Sequence, residues 1–244
     1  MTFEGRVILI TGATGGLGRV VAREAAAGGA RLALAGSSEE RLAGLVAALD
    51  LPAARVRSAA GDLRQPAAAV AAVAAAIDGF GRLDVVVHAV GGWIGGKPIV
   101  ETRSEDLTTM IDQHLWTTFN VFQAAVPRMV AGGWGRLVSV TSPVGAAPSS
   151  RSAPYSVAKA AQEALFATLA REVAWTGVTA NVIVVKAIDV DHARELAPTP
   201  KNAAWVTPEE ITAAIRWLCS DEAGTVNGAR IPLTGTAAPR RLEG

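Results

Sequence analysis

The sequence predicts an α/β fold, with one parallel sheet of about seven strands wrapped by helices on both faces. Three observations carry this. Short runs rich in β-branched residues alternate with longer helical patterns along the chain. The strand-like runs are continuously apolar, as befits strands covered on both sides. Gly, Pro and Ser punctuate the joins. Strict alternation needs crossover connections, which leave neighbouring strands parallel.

The elements follow in order. RVILIT (6–11) is the first strand and is followed by a helical pattern at 17–28. RLALA (31–35) leads to a helix at 39–49, and RVRSA (55–59) to one at 66–78. DVVVHA (84–89) precedes a long helical stretch at 104–131, and RLVSVT (136–141) another at 152–175. VTANVIVV (178–185) is the sixth strand; a helix at 208–219 and ARIPL (229–233) close the pattern. Residues 187–206 are the least regular and read as a short substrate lid, while TAAPRRLEG (236–244) reads as a loose tail. No repeat or linker interrupts the chain, so 1–244 reads as one domain, within the roughly 250 residues such folds reach.

Lys plus Arg is 23 and Asp plus Glu 22, a net charge of +1 that gives no reason to expect nucleic acid or an anionic membrane as partner. The longest apolar run, AAAVAAVAAAI (67–77), is shorter than the ~18 residues that span a bilayer. MTFEGRVILITG lacks the basic start and long apolar region of a secretory leader. The only cysteine, Cys219, lies in an apolar helical stretch and reads as a small buried hydrophobe. A cytoplasmic protein is expected.

Chemistry enters at the first strand-to-helix junction, TGATGGLG, with Gly12, Gly16 and Gly18. Glycines there let the backbone turn sharply, and the helix start offers free N–H groups and a positive dipole end to a pyrophosphate. No Gly-Lys-Ser/Thr follows, so this is not a P-loop.

A second feature is APYSVAK (153–159), which holds the only tyrosine, Tyr155, four residues before Lys159. That spacing puts both on one helical face. A free phenol has a pKa near 10 (roughly), too high for easy proton transfer at neutral pH, and a nearby cation lowers it. So tuned, a phenol can protonate a carbonyl oxygen or take a proton from an alcohol. Ser142 stands thirteen residues earlier, just past a strand, where its hydroxyl would hold the substrate oxygen.

The spacing Gly-x-x-x-Gly-x-Gly after Thr11, with Asp62-Leu63, Ser142, Tyr155, Lys159 and Asn181, resembles the short-chain dehydrogenase/reductase family over nearly the whole chain. The match is to its single-domain branch, similar to 3-oxoacyl-ACP reductase-like and carbonyl reductase-like enzymes. The resemblance implies a Rossmann-type doubly wound sheet and an NAD(P)-dependent oxidoreductase interconverting a carbonyl and an alcohol. It implies that Ser142 orients substrate, Tyr155 is the acid/base, and Lys159 binds the nicotinamide ribose while lowering the Tyr155 pKa. It implies a cofactor groove lined by Thr11, Gly12, Thr14, Gly16, Leu17, Gly18, Ser37, Asp62, Leu63, Ala89, Gly91, Tyr155, Lys159, Val185 and Ile188. It also implies a homodimer or homotetramer through helices 104–131 and 152–175, whose apolar residues occupy more than one face.

The sequence departs from the family in three places. Asn-Asn-Ala-Gly after the fourth strand becomes His88-Ala89-Val90-Gly91. The asparagine that completes the catalytic set, helping hold a water that relays protons to the lysine, becomes His114. An imidazole can hold the same water or titrate near neutral pH and gate the relay; equally, it can simply pack. Pro-Gly after the sixth strand becomes Val185-Lys186, and Asp189 stands near where a threonine contacts the carboxamide. The run DVDHARE, with Asp189, Asp191, His192 and Glu195, reads as a solvated lid face rather than a metal site.

For the cofactor, Gly36 replaces the acidic residue that accepts the ribose 2′-hydroxyl of NAD, and Ser37 and Ser38 follow. Nothing there repels a 2′-phosphate, so NADP is favoured and NAD stays open, with Glu39 and Glu40 expected to face solvent. Trp93, Val144 and Trp205 are candidate pocket walls for an apolar or aromatic small carbonyl compound. The alternative is a dinucleotide-binding protein of the same fold with little turnover, used for sensing or assembly.

Overall fold

Seven strands form one wholly parallel sheet, in the order β3-β2-β1-β4-β5-β6-β7. The strands are β1 (Val7–Thr11), β2 (Arg31–Gly36), β3 (Val56–Ala60), β4 (Val85–His88), β5 (Gly135–Thr141), β6 (Val178–Val184) and β7 (Arg230–Pro232). The helices are α1 (Gly16–Ala27), α2 (Glu39–Leu49), α3 (Pro66–Phe80), α4 (Ser104–Ile111), α5 (Thr117–Ala131), α6 (Ala153–Glu172), α7 (Ala193–Leu196) and α8 (Pro208–Leu218). This computed structural model describes residues 3–235. The tail expected at 236–244 lies outside the described residues.

Successive side chains of a strand point to opposite faces, so each apolar strand supplies two cores. Ile8, Ile10, Val85 and Val87 face one, with Leu17 and Val21 of α1 and Ile211, Ile215 and Leu218 of α8. Val7, Leu9 and Val86 face the other, with Ala69, Ala72, Val73 and Ala76 of α3, Met129 of α5 and Phe166 of α6. Small alanines on α3 let that helix lie close to the sheet. Local signals fix several ends. Thr207 and Glu210 form a reciprocal capping box at the start of α8, with Pro208 in its first turn. Gly81 ends α3 in the left-handed region at φ 79°.

The long helix expected at 104–131 is not one regular helix. Between α4 and α5 the residues Asp112–Trp116 form a π-helical segment. An extra residue is wound into this turn, and His114 sits on it. Isolated π turns of this kind recur at functional sites. The expected lid at 187–206 holds only the four-residue α7 and a bridge between Ile188 and Val206.

The sheet order reverses between β1 and β4, the first pairing outward to β2 and the second to β5. Crossovers on the two sides part there, leaving a crevice at the carboxyl ends of the strands where ligands of such sheets bind.

Candidate active site

The crevice is a groove in two joined parts, both lined by Gly15, Ala89, Val90 and Gly91. One part, of about 590 Å³, is bounded by Gly12, Thr14, Ser37, Arg41, Asp62 and Leu63. The other, of about 320 Å³, is bounded by Gly16, Leu17, His114, Tyr155, Lys159, Val185 and Ile188.

The glycine turn is shaped for close approach. Gly12 has φ +69°, and a Cβ there would lie 2.7 Å from the carbonyl oxygen of Ala89. A Cβ on Gly18 would lie 2.3 Å from the Gly12 oxygen, so α1 can start against the turn only with glycine there. Gly18 and Thr11 therefore build the groove without lining it. The Thr11 hydroxyl is turned instead to Nδ1 of His88, at 2.8 Å.

His88 shows how the missing amides are replaced. The Thr117 hydroxyl donates to the Gln113 carbonyl at 2.6 Å, so across the 3.3 Å contact with the same oxygen it is Nε2–H of His88 that donates. Thr11 then donates to the bare Nδ1, and the neutral ring ties β1, β4 and α5 together. Burial pushes the His88 pKa down to about 3.

Tyr155 and Lys159 share a face of α6, with the Lys159 ammonium 5.8 Å from the phenol ring centroid. Ser142, buried just past β5, stands beside the phenol, whose pKa it acts to lower by hydrogen bonding. The three residues expected to act together do meet. Their electrostatics differ from expectation: the Tyr155 pKa is raised, not lowered, because burial outweighs the Ser142 hydrogen bond. Lys159 does not offset this, since burial also drives its own pKa down to about 7. Its Nζ is held at 2.9 Å from both the Val140 carbonyl and Gln162 Oε1.

His114 is fully buried, with its ring edge-to-face against Tyr155 at 5.6 Å. Nε2 lies 3.0 Å from the Gly92 carbonyl, which only accepts, so the proton sits on Nε2. Nδ1 is a bare acceptor with no partner among the described residues. Burial, with Lys159 adding to it, pushes the His114 pKa down to about 3, which favours a ring that stays neutral and packs or accepts a hydrogen bond over one that titrates near neutral pH.

At the far end Asp62 is held by Arg64, which donates from its backbone and guanidinium and keeps the carboxyl below the usual range. Glu39 and Glu40 are exposed as expected. Arg41, not anticipated from the sequence, lines this end and lies 3.4 Å from the Ser37 hydroxyl. Its only sequence signal was its place one helical turn after Ser37. Asp189 does not face the groove for a carboxamide. Its buried carboxylate accepts from the backbone N–H groups of Ala193 and Arg194, capping α7. Trp93, Val144 and Trp205 are not among the residues lining the Tyr155 cavity. Among the described residues no group of three or more His, Cys, Asp or Glu could hold a metal, and no helix is long and apolar enough to cross a membrane. Cys219 is buried, its thiol pushed up to about 12.

With this geometry in place, comparison with known proteins decides the family. Residues 6–201 match the short chain dehydrogenase family. The chain belongs to that family. Among curated members, a 1,6-dihydroxycyclohexa-2,4-diene-1-carboxylate dehydrogenase of Pseudomonas putida is 31% identical, covering 96% of this chain and 93% of its own. The 3-oxoacyl-[acyl-carrier-protein] reductase FabG of Escherichia coli is 28% identical, covering 96% of this chain and 98% of its own. Among solved structures of short-chain dehydrogenases, one from Mycobacterium ulcerans superimposes with TM-score 0.88 at 28% identity, covering 97% of this chain and 90% of that one. Levodione reductase superimposes with TM-score 0.85 at 28% identity, covering 96% and 97%. The doubly wound sheet is thus the Rossmann fold of short-chain dehydrogenases, and the chain is an oxidoreductase of that family.

Proposed function

We propose that this protein reduces a small carbonyl compound, or oxidises the matching alcohol, with NADP as the favoured cofactor and Tyr155 as the acid/base. The observation that carries the reading is Ser142 beside the lone phenol, with Lys159 on the phenol's helical face, next to a turn where Gly12 and Gly18 leave no room for side chains. Thr14, Gly15, Gly16 and Leu17 would cradle the pyrophosphate; Asp62 and Leu63 would flank the adenine. The bound nicotinamide would supply, or accept, the hydride at the substrate carbon.

The chain's own residues do the rest. Ser142 holds the substrate oxygen against the phenol. In reduction Tyr155 O–H gives its proton to that oxygen as the C–H bond forms; in oxidation the phenolate takes it back. Burial favours the protonated phenol, which suits the donor role. Arg41 beside Ser37, with no carboxylate at Gly36, favours a 2′-phosphate and hence NADPH. Residues 187–206 would serve as the lid. The exposed Leu107, Trp116 and Val157 on the helices of 104–131 and 152–175 support a homodimer or homotetramer through them.

The test is Tyr155→Phe, assayed with a carbonyl panel at the nicotinamide absorbance. Turnover should fall by roughly a hundredfold to ten-thousandfold while NADPH still binds. Undiminished turnover would remove the phenol from the mechanism. Wild-type binding with no turnover on any substrate would favour a sensing or assembly protein instead.

A further inference from the structure

Two buried polar side chains that the reaction does not call for lie between Lys159 and the π segment. Gln162, on α6, and Thr118, on α5, are both fully buried. Lys159 Nζ donates to Gln162 Oε1 at 2.9 Å, Gln162 Nε2 donates to Thr118 Oγ1 at 3.0 Å, and the Thr118 hydroxyl donates to the His114 carbonyl at 2.6 Å. The chain is unbroken, and each donor meets an acceptor.

We infer that Gln162, backed by Thr118, is a positioning residue that clamps the Lys159 ammonium to the π segment and occupies the line between them with protein instead of water. This rests on the proposed role of Lys159 in the active site. An ammonium has three N–H groups. Val140 and Gln162 take two, which leaves one for the groove that Lys159 lines. The same arrangement carries no protons. An amide neither gains nor loses one near neutral pH, so Gln162 ends the path from Lys159 to the His114 carbonyl. A buried amide whose two ends are both engaged is costly to leave half-satisfied, and this selects one orientation of the clamp.

The prediction concerns the protonation of Lys159. The titratable groups facing it are Tyr155 and Glu163 on its own helix, His88 at the end of β4, and His114 on the π segment. The chain has four lysines (Lys97, Lys159, Lys186 and Lys201), so lysine isotopically labelled at Cε gives a simple NMR spectrum, with Lys159 assigned by its loss in Lys159→Met. In wild type this signal should titrate near 7. Gln162→Met removes an acceptor from a dry ammonium and should lower the midpoint by about one pH unit. Gln162→Glu places a carboxylate there and should raise it by at least about as much. Thr118→Val should move it in the Gln162→Met direction by less, and Thr118→Ser should restore it.

The opposite shifts of Met and Glu are the signature, because general loosening moves both one way. If Gln162→Met fails to fold, Gln162→Glu and the Thr118 pair decide. An unchanged midpoint, or shifts of one sign, in folded variants would overturn the clamp. The titration needs no turnover, so it stands apart from any failure of the Tyr155 reading, which the Tyr155→Phe assay reports separately.

Discussion

Arg41 and His114 each do something at the scale of single residues that their residue type alone did not announce. Arg41 brings a fixed positive charge beside Ser37, at the end of the groove where the adenine ribose would lie. A charge-assisted hydrogen bond to phosphate is worth about 1.5–3 kcal/mol. Arg41→Ala should therefore raise the KM for NADPH roughly tenfold or more and leave that for NADH within about twofold. A preference for NADH in the wild type would contradict the assignment. His114 has the opposite character, a titratable ring kept from titrating. With its pKa pushed down to about 3, it is neutral throughout the working range. His114→Asn should leave the shape of the pH–rate profile unchanged from about pH 6 to 8, whatever it does to the absolute rate. A lost acidic limb would show that the ring does protonate in the working enzyme.

At the scale of elements, Asp189 caps α7, a helix of only four residues that Asn202 and Arg194 also tie to its surroundings. Asp189→Ala should cost about 1 kcal/mol locally, read as faster amide exchange at Ala193 and Arg194 with the core amides unmoved. The strands were legible because each is a continuous apolar run between turn residues, and all seven fall within a residue or two of their expected places. The π segment was not. Residue types carry no mark of one wider turn, and DQHLWTTF reads as helix either way. The groove's glycines and the Ser142–Tyr155–Lys159 set were legible from spacing. The clamp was hidden, because Thr118 and Gln162 lie 44 residues apart on different helices and meet only once both pack on the sheet. The direction of the Tyr155 shift was misjudged for a related reason. Spacing reveals a neighbouring cation, but only the folded interior reveals how much water both groups have lost.

At the scale of the whole molecule, the site buries His88 and His114 in their neutral forms, and this sets how stability falls on the acid side. His88 and His114 have folded pKa values of about 3, far below the ordinary 6.5. Above the unfolded value both states are neutral and neither ring matters. As pH falls below it, the unfolded chain takes up protons that the folded chain refuses, so stability is lost progressively down to about 3. Tm should therefore drop steeply through this window, with proton uptake on unfolding measurable by calorimetry in buffers of different ionisation heat. His88→Asn, which keeps hydrogen-bonding ends at the junction of β1, β4 and α5, should flatten the drop. A Tm slope equal to wild type would mean that the ring is already charged in the native state.

The single surplus residue coiled between α4 and α5 reaches beyond His114. Each residue of a helix advances the azimuth by about 100°. Asp112–Trp116 absorbs its extra residue within one wider turn, so straightening that turn with every residue kept would swing Thr117 and Thr118 off His88 and Gln162 and turn the outward side of α5 through the same angle. The interior contacts and the exterior surface of this stretch are geared to each other, so neither can be re-registered while the other keeps its partners.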